Sequence, residues 1–292
     1  MTTSSLHYER LTPQTARVTF ANAPVNLVVG ALAEQLTRVL DELAADEQLQ
    51  VLEFDSAVPD FFLNHFDLAH LADFPPADAQ TGREVWTDIA IRLAAAPYIT
   101  VARIRGRTRG GGNELALALD LRYASIEKAF FGQPEVGTAV VPGGGGTERL
   151  PRLIGRDRAL EAVLTSQDYD AVTAERWGWV TRALPDAELD GFVDGVVARL
   201  AAFDRTALAT AKAMVNRASL PPESDLVAAY GEFVHTTTLP GYRERAAGAP
   251  APTGEQALQL EYHLGEFLGQ AALRRAAAAA SGSSGSSAST GS

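Results

Sequence analysis

Residues 110–125 read Gly110-Gly111-Gly112-Asn113-Glu114-Leu115-Ala116-Leu117-Ala118-Leu119-Asp120-Leu121-Arg122-Tyr123-Ala124-Ser125. With no Cβ at three successive positions, a ligand can approach the backbone closely. The apolar run from Glu114 onward predicts a buried helix going into a strand. A helix opening at the glycines presents unpaired N–H donors and the positive end of its dipole. Such donors suit a phosphate or a developing oxyanion equally well, and the glycines by themselves fit tight helix–strand packing too.

Working outward, the strand Tyr98-Ile99-Thr100-Val101-Ala102 feeds this segment. Further upstream, the β-rich stretches Arg17–Phe20 and Val51–Asp55 flank ALAEQLTRVLDELAADE, which places Leu32, Leu36, Val39, Leu40 and Leu43 on one helical face. An irregular aromatic stretch, PDFFLNHFDLAHL (59–71), precedes a helix expected around 83–95. This alternation of strands and helices predicts an α/β domain. From residue 204 only helical patterns remain, such as ALATAKAMVNRAS and GEQALQLEYHLGEFLGQAAL. The expected organisation is an α/β core over 1–203, a C-terminal helical part over 204–275 that suits docking on another subunit or on its own core, and a disordered linker or tag over 276–292. The Gly/Ser/Ala/Thr composition of that last stretch cannot bury apolar surface.

The 292-residue chain has a formal net charge of −11 and 46% hydrophobic residues, the profile of a soluble globular protein. So acidic a chain is repelled by phosphate backbones, which argues against nucleic acid and anionic membrane surfaces as partners. The absence of cysteine excludes disulfides, thiolate nucleophiles and cysteine metal sites. No apolar run reaches the length of a membrane span, and MTTSSLHYERL lacks a secretory pattern, so the cytoplasm is the expected location. No His/Asp/Glu spacing makes a metal site.

Phosphate-loop readings fail, because no Gly-Lys-Ser/Thr follows either glycine cluster and no G-x-G-x-x-G spacing fits 106–112 or 143–146. The order GGGNELALALDLRYAS, then FGQPEVG (131–137), then VPGGGGTERLPRLIG (141–155), instead resembles the enoyl-CoA hydratase/isomerase, or crotonase, family. Asn22-Ala23-Pro24-Val25-Asn26 resembles that family's first loop, and the likeness covers about residues 15–215. It implies a spiral of ββα units with a helical C-terminal oligomerisation part, assembled as a homotrimer or a dimer of trimers. It also implies an acyl-CoA substrate and no separate cofactor, CoA entering as part of the substrate.

The resemblance further assigns roles. Two backbone N–H groups, of Gly111 and Phe66, would form an oxyanion hole for the thioester oxygen. Glu114 and Glu135 would flank a water, one taking its proton as it attacks Cβ and the other supporting protonation of Cα, and the N–H of Gly143 would orient that water. Two carboxylates in a water-poor pocket repel and raise a pKa toward neutrality. Without the resemblance, Glu114 reads as a helix cap and Glu135 as a solvated turn residue.

Retention of both glutamates favours a 2-enoyl-CoA hydratase over an enoyl-CoA isomerase. The same motifs also fit a CoA-independent carbon–carbon hydrolase of β-diketones and a non-catalytic crotonase scaffold. Leu63, Asn64, His65 and Phe66 replace the small residues usual in the first oxyanion loop, and Ala69 stands where a basic residue is common. His65 and His70 read as surface or hydrogen-bonding residues more readily than as acids or bases. Arg103, Arg105, Arg107 and Arg109 recur every second residue and would share one face of an extended segment, either as a cationic stripe for CoA phosphates or as a solvated edge.

Overall fold

The computed structural model describes residues 5–247 and 253–283. Its strands are β1 (Leu6–Arg10), β2 (Thr15–Phe20), β3 (Val51–Ser56), β4 (Phe61–Leu63), β5 (Ile99–Ile104), β6 (Arg107–Arg109), β7 (Leu121–Ser125), β8 (Phe130–Gly132), β9 (Asp168–Asp170) and β10 (Arg182–Leu184). The helices of the core are α1 (Gly30–Ala44), α2 (Val85–Ala95), α3 (Gly111–Ala118), α4 (Gly146–Ile154), α5 (Arg156–Thr165), α6 (Ala171–Trp177) and α7 (Asp186–Ala201). After these come α8 (Arg205–Ser219), α9 (Glu223–Thr237), α10 (Pro240–Ala247), α11 (Gly254–Tyr262) and α12 (Leu264–Ser283).

The strands form two sheets, ordered β1-β2-β3-β5-β7-β10 and β4-β6-β8-β9. In the larger sheet only the β1–β2 pair is antiparallel; β2, β3, β5, β7 and β10 are mutually parallel. Parallel strands are covered on both faces, and all six residues of β5 are accordingly buried. The pairs β3–β4, β5–β6 and β7–β8 each send one strand to the larger sheet and a three-residue strand to the smaller, and are followed by α2, α3 and α4. This is the spiral of ββα units that the resemblance implies.

Leu32, Leu36, Val39, Leu40 and Leu43 are all buried on α1, as their spacing predicts. Helix α3 is buried on every side, which is why its sequence shows no polar face. Polar side chains hold it at both ends. Asn113 donates to Gln133 Oε1 at 2.8 Å and accepts from Trp179 Nε1 at 2.9 Å, while Arg122 donates to the carbonyl of Leu119 at 2.6 Å. A buried helix cannot hydrate its terminal carbonyls, so Arg122, which also reaches the Ala116 carbonyl, supplies what water would at the C-terminal end.

From Arg205 on, the described elements are all helical. Helix α12 runs to Ser283, so the stretch expected to be unstructured from 276 is helical that far; residues 284–292 lie outside the described residues. The five alanines at 276–280 have the highest helix propensity, which outweighs their inability to bury much surface. No helix among the described residues is long and apolar enough to cross a membrane.

Candidate active site

The three motif segments converge at the start of α3. Gly110 adopts φ +49°, and a Cβ there would stand 2.9 Å from both Glu135 Oε1 and the His65 Cβ, so only glycine fits between them. Glu114 sits one turn into α3 and is 1% exposed. Its Oε1 accepts from the N–H groups of Gly144 at 2.8 Å and Gly146 at 2.9 Å, both in the second glycine cluster. A Cβ on Gly144 would lie 2.6 Å from the other carboxyl oxygen, Oε2. Gly144 and Gly146 of the second cluster leave room for this carboxylate, while Gly145 takes φ +101°.

Glu135 opens a short 3₁₀ turn, Glu135–Thr138, closed by Ala139 at φ +67°. The residue is half-buried, but its Oε2 is shielded from solvent and has no hydrogen-bond partner in the structure. Burial pushes Glu135 well above the usual carboxylate range, and the neighbouring Glu114 charge pushes it further. Burial likewise pushes Glu114 up to about 7, with the two glycine N–H groups pulling the other way. The environments are therefore unequal: the Glu114 carboxylate accepts from two glycine N–H groups, whereas Oε2 of Glu135 has no donor.

The loop carrying Phe66 lies alongside. Val28 donates to the His65 carbonyl at 3.0 Å, and Asp67 donates to the Val28 carbonyl at 3.0 Å, leaving the intervening Phe66 N–H on the opposite side of its trans peptide. Gly112 donates to the Asn64 carbonyl at 2.9 Å, tying this loop to the first turn of α3. Gly111 occupies the first helical position, where no intrahelical carbonyl is in reach. The Phe66 ring lies over Gly111, whose absent Cβ would be 2.6 Å away, and joins Phe74, Trp86 and Phe233 in an aromatic cluster with centroids 5.3–6.3 Å from its own. A bulky residue is tolerated in the loop because its side chain has this cluster to enter. Gly143 precedes the Glu114-binding glycines and is backed by Phe233.

A cavity of about 270 Å³ opens onto Glu135 and Phe66, with Val140, Phe233, Leu260 and Leu264 among its apolar walls. Glu114 lies behind this lining rather than on it. Leu68, Thr138, Phe267 and Leu268 are shared with a larger groove of about 990 Å³, which reaches Arg245 and Arg275 between α10 and α12.

The cationic stripe expected from the alternate arginines does not form. Strand β5 ends at Ile104, and the chain turns at Gly106 (φ +103°) into the other sheet, so the period-two register is lost midway. Arg103 is spent on Glu53, Asp190 and Asp194 at 3.0, 2.7 and 2.5 Å, and Arg105 on Asp186 and Asp190. Arg107 lies over the rings of Phe61, Phe130 and Tyr262 and donates to the Tyr262 carbonyl. Arg109 is 1% exposed, pairs with Asp168 and donates to the Glu261 carbonyl. All four brace the fold.

Sequence reasoning does not assign a site role to three residues that the structure places there. Arg149, in the Thr-x-Arg-Leu segment, donates to the Gly144 carbonyl at 3.1 Å, and burial pulls its guanidinium down to about 10. Glu261 and His65 pair at 3.2 Å on the cavity wall. The signal for Arg149 lies within the motif itself; Glu261 stands 196 positions from its partner, beyond the reach of any local pattern.

A model of the family described as enoyl-CoA hydratase/isomerase matches residues 12–239. This chain belongs to the enoyl-CoA hydratase/isomerase family. It is 40% identical to a structure from Streptomyces avermitilis described as a "putative enoyl-CoA hydratase", with a TM-score of 0.83 over 92% of this chain and 98% of that one. It is 33% identical over 196 residues to echA8 of Mycobacterium bovis, named a probable enoyl-CoA hydratase, covering 66% of this chain and 74% of that protein. Over 167 residues it is 39% identical to the fatty acid oxidation complex subunit alpha of Aliivibrio fischeri, 56% of this chain but 24% of that longer protein. Membership in this family supports an enzyme acting in enoyl-CoA hydratase/isomerase-type chemistry, and the crotonase fold is that of its structural relatives.

Proposed function

We propose that the chain is a 2-enoyl-CoA hydratase, on the strength of one observation above the rest: two buried glutamates in unequal environments at one glycine-lined site. Glu114, whose anion is stabilised by two N–H groups, is the base; Glu135, with no donor on Oε2, holds its proton and is the acid. Water attacks Cβ and gives one proton to Glu114. The π electrons of the double bond pass into the thioester as an enolate, whose oxygen accepts from the N–H groups of Phe66 and Gly111. Glu135 then protonates Cα, giving a 3-hydroxyacyl thioester, and a proton passing from Glu114 to Glu135 restores the starting state. Two preorganised donors of this kind are each worth about 3–4 kcal/mol of barrier. The N–H of Gly143 orients the water.

The acyl group occupies the 270 Å³ cavity, and the CoA portion follows the adjoining groove. Arg245 and Arg275 on that groove take the phosphate-binding role that Arg103, Arg105, Arg107 and Arg109 are not free to fill. Assembly as a trimer or dimer of trimers is part of the same proposal, with exposed Leu153, Leu164, Met214 and Val215 as apolar surface for it. The decisive test follows the enoyl absorbance of a chain-length and aryl panel of 2-enoyl-CoA esters, with Glu114→Ala and Glu135→Ala beside wild type. Turnover by wild type alone is expected, and an inert wild type across the panel rejects the hydratase reading.

A further inference from the structure

The ring of His65 lies between two acceptors. Its Nδ1 is 2.9 Å from the backbone carbonyl of Phe66, and its Nε2 is 3.2 Å from both carboxyl oxygens of Glu261. A carbonyl cannot donate, so Nδ1 carries a hydrogen. Glu261 Oε2 also accepts from Asn64 Nδ2 at 2.8 Å, which leaves that carboxyl acting as an anion toward both neighbours. With an acceptor at each ring nitrogen, the imidazole that satisfies the geometry carries both protons.

The positions of these residues give the pair a task. Asn64, His65 and Phe66 are consecutive, and the Phe66 N–H is the proposed oxyanion donor. Val28 and Asp67 fix the loop from one side, while the carbonyl of Phe66 itself takes the imidazole N–H. Glu261 belongs to the last turn of α11, whose terminal carbonyls accept from Arg109 and Arg107. Cations at a helix C-terminus also complement its dipole. The loop is thereby fastened through His65 to a helix that lies far away in sequence.

We propose that His65, held as an imidazolium by Glu261, is a positioning residue for the oxyanion hole, coupling the docking of α11 to the orientation of the Phe66 peptide. This rests on the hydratase reading of Phe66. The charged and titratable groups facing the ring are Glu261 from α11, Glu135 across Gly110, and Arg109 from β6, whose guanidinium is engaged by Asp168. Asp67 and His70 form their own exposed pair on the far side of the loop. Burial opposes the charge on His65, and the Glu261 carboxylate outweighs it, so the imidazole titrates above its ordinary value.

Two measurements test the proposal. In ¹⁵N-histidine-labelled wild-type protein, the His65 ring, assigned by its loss in His65→Gln, is expected to show both nitrogens protonated at pH 7. A ring with one bare nitrogen at that pH overturns the proposal without touching the hydratase reading. In Glu261→Gln, which keeps an acceptor and loses the charge, kcat is expected to fall about 10- to 100-fold with KM nearly unchanged, as for a displaced catalytic group. The alkaline limb of its kcat–pH profile should move down by about one unit, because the cation has lost its counter-charge. Glu261→Asp should restore part of both. An unshifted limb in folded Glu261→Gln overturns the positioning role alone, whereas wild type inert toward every enoyl thioester overturns it together with the hydratase reading.

Discussion

Glu114 and Glu135 carry the same side chain and differ only in what surrounds it. Two N–H groups reach Glu114, none reaches Glu135 Oε2, and the proposed division into base and acid rests on that inequality. Glu135→Gln keeps the volume and removes the transferable proton, so turnover of an enoyl thioester should drop about 10²- to 10⁴-fold while circular dichroism stays unchanged. Gly144→Ala makes a different point. Its Cβ would stand 2.6 Å from Glu114 Oε2, so the carboxyl must shift, and kcat should fall about 10²-fold although no functional group is lost. If Gly144→Ala were as active as wild type, the contact would not set the position of the Glu114 carboxyl. Both glutamates and the glycines around them are legible as residues, because the motif places them at fixed spacing. His65 is not legible in that way, since a lone histidine in a loop shows nothing of its partner.

Elements decide the fate of the arginines. The alternate spacing of Arg103 to Arg109 means one shared face only while the strand continues, and the turn at Gly106 leaves Arg103 in one sheet, Arg107 and Arg109 in the other and Arg105 in the connection. Arg103 on β5 instead ties β3 and α7 together through Glu53, Asp190 and Asp194. Arg103→Ala leaves the buried Glu53 with Arg17 alone at 3.3 Å, and should cost about 3 kcal/mol in urea unfolding. The KM for an acyl-CoA should stay at the wild-type value in the remaining folded protein; a raised KM would return Arg103 to the binding site. Helix α1, by contrast, is legible down to its five buried side chains, since an amphipathic helix at a surface needs only its own period.

The molecule as a whole bears the cost of keeping two carboxyls buried. Glutamates ordinarily release their protons near 4.5, and in the folded chain Glu114 does so near 7 and Glu135 well above its ordinary value. Between those limits the folded state binds more protons than the unfolded state, so stability is highest at the acid end of the window and falls as pH rises through the folded-state values. The Glu114→Gln/Glu135→Gln double variant lacks this loss. Its melting temperature should exceed that of wild type by a margin that widens from pH 5 to pH 8, with a free-energy gain on the order of 1–3 kcal/mol. A constant margin across that range would show that the pair is ionised without penalty. The same scale separates what each kind of information settled. Sequence alone determined the α/β class and the face of α1, because each depends on periodicity within a few residues, and it marked the turns around Gly110–Glu114 and Gly143–Gly146 through the ordered motifs that resemble the family. Tertiary structure alone decided that the arginines are structural, that Phe66 has an aromatic cluster to enter, and that Glu261 meets His65. Those outcomes depend on contacts between segments tens to hundreds of residues apart, and only the folded chain brings such segments together.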